Sequence, residues 1–100
     1  MRGAVYIKGG GSGDGSQFKI GCSLYNYGSD VTWNSADLDS GTTYFIVLKY
    51  DEQGASDDES HLFVNPAVGG SEPSPDASHV KASGEINWDT ANDSIDGILL

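Results

Sequence analysis

Residues 42–66 read TTYFIVLKYDEQGASDDESHLFVNP, and this stretch decides the fold. Its first part, Thr42 to Asp51, places Tyr44, Ile46, Leu48 and Tyr50 on one side of an extended chain and Phe45 and Val47 on the other. Apolar residues on both sides predict a strand covered from two directions, at least in its middle. Thr, Tyr, Phe, Ile and Val are strand formers, and no capping residue precedes a helical stripe, so the helical alternative is the weaker one. A returning strand follows over Glu59 to Asn65, with Leu62 and Val64 on one face and His61 and Phe63 on the other. Pro66 has no N–H to give to a ladder and ends it. The acidic stretch between the two strands is then a loop.

The sequence before this pair carries weaker strand signals. AVYIK at Ala4–Lys8 is a short strand. It runs into residues 9–16, GGGSGDGS, where five glycines in eight residues exclude a helix or a strand interior and predict a mobile hairpin loop. No Lys-Ser/Thr pair follows and no helix opens there, so the loop is no phosphate cradle. Gln17 to Tyr25 alternates, with Phe18, Ile20, Cys22 and Leu24 on one face and Lys19, Gly21 and Ser23 on the other, the pattern of a half-buried strand. Val31-Thr32-Trp33 starts a third short strand, and NSADLDSG at residues 34–41 closes it with turn chemistry. Past Pro66, residues 69–76 read as a surface crossing from one sheet to another. Val80 to Trp88 is ambiguous, and Ile95 to Leu100 reads as a last strand.

Composition bounds the function. One hundred residues make one small domain, and ten aromatic residues supply large side chains for a core. Fifteen acidic against five basic residues give a net charge of −10, which repels phosphate backbones and anionic lipid and so argues against nucleic-acid and membrane-surface roles. There is no apolar run long enough for a membrane-spanning helix and no hydrophobic leader at the start. Cys22, alone of its kind, forms no internal disulfide and is expected to act as a small buried hydrophobe. His61 and His79 are far apart in sequence and read as surface residues.

Short strands separated by Gly, Pro, Ser, Asn and Asp loops give an all-β, antiparallel β-sandwich. A family resemblance refines this. Thr43-Tyr44, Val47, Lys49-Tyr50-Asp51, Asn65-Pro66, Glu72-Pro73 and Ile95–Leu99 resemble the strand, "Asn-Pro" and "Glu-Pro" pattern of concanavalin A-like, laminin-G-like jelly rolls of secreted bacterial proteins. The resemblance covers some 60 residues. It implies the jelly-roll type of the lectins and glucanases, and a secreted or cell-surface location with the export signal upstream. It also implies a partial domain, residues 1–100 forming the C-terminal half of a larger jelly roll. A half domain would expose apolar surface, so a homo-oligomer is expected, covering the face of Phe45 and Val47 or the strand at Ile98–Leu100.

Three sites follow as candidates. The acidic loop gathers Asp51, Asp57, Asp58 and Glu59, hard oxygen donors of the kind Ca²⁺ takes, and jelly rolls of this family often carry calcium. The plain alternative is a solvated hairpin tip. Trp33, Trp88, Tyr25 and Tyr27 lie near predicted turns, where an aromatic face can stack on a sugar, and they make a glycan or polysaccharide the expected ligand. The alternative is that they pack beneath the loops. Glu85, Asn87 and Asp89 share one face if extended, which resembles the strand bearing the catalytic carboxylates of the glucanases. Retaining hydrolysis needs carboxyl groups ~5–5.5 Å apart, but the middle acid is replaced here by Asn87. The expected role is therefore a non-catalytic binding or adhesion module, against a glycoside hydrolase-related enzyme or a structural spacer.

Overall fold

The computed structural model describes residues 3–24, 31–51 and 58–80. These form seven strands: β1 (Ala4–Gly9), β2 (Gln17–Ser23), β3 (Thr32–Trp33), β4 (Leu38–Asp39), β5 (Ile46–Asp51), β6 (Glu59–Val64) and β7 (Ala77–Val80). All pairings are antiparallel, and there is no helix among the described residues. In the first sheet β1 and β3 flank β2, and β4 pairs with the other end of β2. In the second sheet β6 lies between β5 and β7. The all-β antiparallel expectation holds, and the two sheets pack face to face.

The decisive pair is in register from Ile46↔Val64 to Asp51↔Glu59. Alternation then places Ile46, Leu48, Leu62 and Val64 toward the first sheet, where they meet Phe18, Ile20, Cys22 and Leu38. Cys22 and Leu62 are fully buried at the centre. The Cys22 thiol points across the gap to the carbonyl oxygens of Ser60 and Ala77, at 3.7 and 3.8 Å. Burial pushes this thiol's pKa up, so Cys22 serves as a packed side chain, as its alternation with Ile20 implies. Phe63 points away from Leu62 along the strand yet is only 4% exposed, so β6 is covered on both sides at that point.

Strand ends follow from local chemistry. Asn65 stops β6 in the left-handed region at φ 49°, a conformation its short polar side chain tolerates. Its Oδ1 accepts the N–H of Phe45 at 2.7 Å, and its own N–H returns to the Phe45 carbonyl. Regular pairing of β5 therefore begins at Ile46 rather than at Thr42. Asp76 caps the far side of β6, taking the Val64 N–H on its carboxylate and giving its own N–H to Leu62.

Three expectations are corrected, and the glycine loop joins the β1–β2 hairpin as expected. Residues 69–76 do not cross between sheets; they return the chain to the same sheet as β7, beside β6. Leu38–Asp39 is a strand inside what reads as a turn, and Leu38 enters the core. His79 is buried, with Nδ1 3.1 Å from the Thr32 hydroxyl of the opposite sheet, and His61 is half-buried, so neither is a simple surface residue. The glycine loop is fastened at its base: Gly10 donates to the Gln17 carbonyl and Gly11 to the Asp37 carboxylate, which Lys19 also pairs. Ser40 binds the carbonyls of Ser16 and Gly15. Within the loop, Asp14 accepts both the hydroxyl and the backbone N–H of Ser16, which lowers its pKa to about 2. The expected last strand at Ile95–Leu100 lies outside the described residues.

Gly21 is required where it stands. A Cβ there would lie 2.7 Å from the Thr32 carbonyl oxygen and 2.9 Å from Cε3 of Trp33. We expect Gly21→Ala to destabilise the fold by about 1–3 kcal/mol in urea titration, because a backbone atom must move to admit the methyl group. An unchanged midpoint would contradict this packing. Ser60 supplies an opposite test. Among the described residues its buried hydroxyl has no hydrogen-bond partner, and an unsatisfied buried polar group costs about 1–3 kcal/mol. Ser60→Ala is expected to be neutral or stabilising in the same assay, and a clear loss of stability would show that the hydroxyl is satisfied.

Candidate functional site

The second sheet's outward face collects charge at one end. Alternation away from Leu48 and Leu62 turns Lys49, Asp51, Glu59 and His61 outward together. Asp51 and Glu59 are directly opposed across the β5–β6 pair, and Lys49 opposes His61. One ligand atom each from Asp51, Glu59 and His61 lies within 4.8 Å of the others. His61 Nε2 is 2.9 Å from Glu59 Oε2. Its Nδ1 is 2.8 Å from the Ser78 hydroxyl on β7. All three side chains are half-buried.

Lys49 is turned to another acid. Its ammonium lies 3.1 Å from both carboxylate oxygens of Glu72. Its pKa is raised, first by the hydrogen bond to Glu72 and further by the charges of Glu72, Asp51 and Glu59.

Of the four acidic residues expected to hold calcium, Asp51 and Glu59 come together here. Asp58 is buried, and its Oδ2 accepts the Tyr50 hydroxyl at 2.7 Å. Asp57 lies outside the described residues. The sequence reading passed over His61, although Glu59-x-His61 within a strand places both on one face. That alternation was the available signal.

Among the aromatic candidates, Trp33 sits on the outward face of the first sheet. Gly21 lies between Tyr6 and Trp33 in register and alternates with the core-facing Ile20 and Cys22. The Lys8 ammonium stands 4.3 Å from the Trp33 ring centroid, a cation–π contact. Trp33 itself is half-buried. Tyr25, Tyr27 and Trp88 lie outside the described residues, as do Glu85, Asn87 and Asp89. No helix among the described residues is long and apolar enough to cross a membrane.

Comparisons with protein-family models, with curated proteins and with solved structures found no match to this chain.

Proposed function

We propose that this chain is a non-catalytic module of jelly-roll type from a secreted or cell-surface protein, and that it binds glycan through the outward face of its first sheet. The observation that carries this reading is the mounting of Trp33. Gly21 removes the side chain that would otherwise occupy the space beside the indole, and Lys8 stands over the ring. A sugar would take the place of Lys8 on the ring, its apolar face stacking on the indole while the displaced ammonium meets its hydroxyls. The strongly acidic composition favours neutral or cationic ligands over anionic ones.

Titration with neutral oligosaccharides, followed by isothermal calorimetry, tests the reading. We expect saturable binding that Trp33→Ala weakens by about tenfold or more, equivalent to about 1.4 kcal/mol. Trp33→Tyr is expected to retain much of the affinity, because an aromatic face remains. Binding unchanged by Trp33→Ala would move the site elsewhere, and no binding by any glycan tried would count against a lectin role.

Self-association is the second reading, favoured by the apolar surface of β1. Val5 and Ile7 oppose Cys22 and Ile20 in register, yet they are 40% and 70% exposed. Phe45, expected to lie in a subunit contact, is also exposed. Among the described residues only β2 pairs with β1, and an edge of this kind invites a second copy. Sedimentation at micromolar concentration is expected to show a dimer that Ile7→Lys dissociates. A monomeric parent protein would refute this reading.

A further inference from the structure

We propose that Asp51, Glu59 and His61 form a binding site for a transition-metal dication, with zinc the best match. This site lies on the second sheet and is independent of the glycan reading. It also differs from the all-oxygen calcium site expected from the acidic loop, because its third donor is an imidazole.

Three features carry the proposal. The first is the donor set. Two carboxylates and one imidazole, drawn from two paired strands, have their ligand atoms within 4.8 Å of one another. Imidazole nitrogen suits Zn²⁺ and its neighbours in the first transition row, whereas Ca²⁺ takes oxygen.

The second feature is the orientation of the imidazole. Its Nε2 faces Glu59, while its Nδ1 is held by the Ser78 hydroxyl from a third strand. Metal-bound histidines have this arrangement, with one nitrogen on the ion and the other fixed by a hydrogen-bonding partner behind it. A metal at Nε2 takes the place of the hydrogen that this nitrogen shares with Glu59, and Nδ1–H then donates to the Ser78 hydroxyl.

The third feature is electrostatic. Asp51 and Glu59 are direct cross-strand neighbours, and like charges in that position repel. Lys49, on the same face, is engaged by both oxygens of Glu72. A dication between the two carboxylates removes the repulsion.

Donor atoms around a tetrahedral zinc with bonds of ~2.0–2.1 Å lie ~3.4 Å apart, so modest side-chain rotations close the site. Three protein ligands leave a fourth position for water. The competing arrangement has no metal, with the His61 imidazole hydrogen-bonded to Glu59 and Ser78 alone.

Calorimetric titration of metal-stripped protein with Zn²⁺, and separately with Ca²⁺, distinguishes the two. We expect one saturable Zn²⁺ site per chain, accompanied by a shift of the His61 ring resonances. His61→Gln and Asp51→Asn are each expected to weaken binding by more than tenfold. Ser78→Ala, which touches no metal, is expected to weaken it by about tenfold through loss of the imidazole's support. Ser78→Ala and Asp51→Asn change half-buried groups and keep the test open should His61→Gln fail to fold. The proposal is overturned if Zn²⁺ gives no saturable binding, or if the variants bind it as the parent does. It is equally overturned if Ca²⁺ binds at this site and His61→Gln leaves that binding unchanged.

Discussion

The structure depends on the apposition of its two central strands, β2 and β6. Cys22 from one and Leu62 from the other are both sealed from solvent, with Ile20, Leu38 and Ala77 around them. This small group joins the sheets into one body, because an antiparallel sheet buries its apolar face only against another layer. The packing is close enough for the Cys22 thiol to reach the carbonyl oxygens of β6 and β7. The outward faces are consequences of it. Once Leu62 must point inward, Glu59, His61 and Phe63 must point outward, and once Cys22 points inward, Gly21 must face away beneath Trp33.

Where apolar residues alternated, the sequence was easy to read. Ile20 and Cys22 in β2, and Leu62 and Val64 in β6, state their direction in their own chemistry. β7 was missed because its inward residues are Ala77 and His79, one small and one polar. Nothing in the string ASHV announces burial until Thr32 on the opposite sheet provides the histidine with a hydrogen-bonding partner. β4 was missed for a different reason. Two residues cannot establish a period, and Leu38 reads as a turn residue until Phe18 is placed beside it. The extra length expected for β5 failed at Asn65, whose amide captures the Phe45 N–H that a regular ladder would have used.

The candidate site was half legible. A cluster of acids between two strands suggested oxygen ligands, and the register does bring Asp51 and Glu59 together. Sequence proximity was misleading for Asp58, which follows the loop yet is taken up by Tyr50. Proximity also gave no reason to include His61 or Ser78, because the contact between them depends on β7 lying next to β6. Trp33 reads as a residue near a turn, and it ends β3. Its mounting over a glycine and beside Lys8 required three paired strands to become visible.

The hairpin between β1 and β2 has a further consequence. Its base is tied down by Asp37 and Ser40, while a side chain at Gly13 or Gly15 would meet nothing within 4 Å. Anchored flanks with a bare summit are what a scaffold needs to display a foreign peptide. A guest epitope spliced in at Gly13 would project away from the core, and the strands on either side would keep their alignment without it.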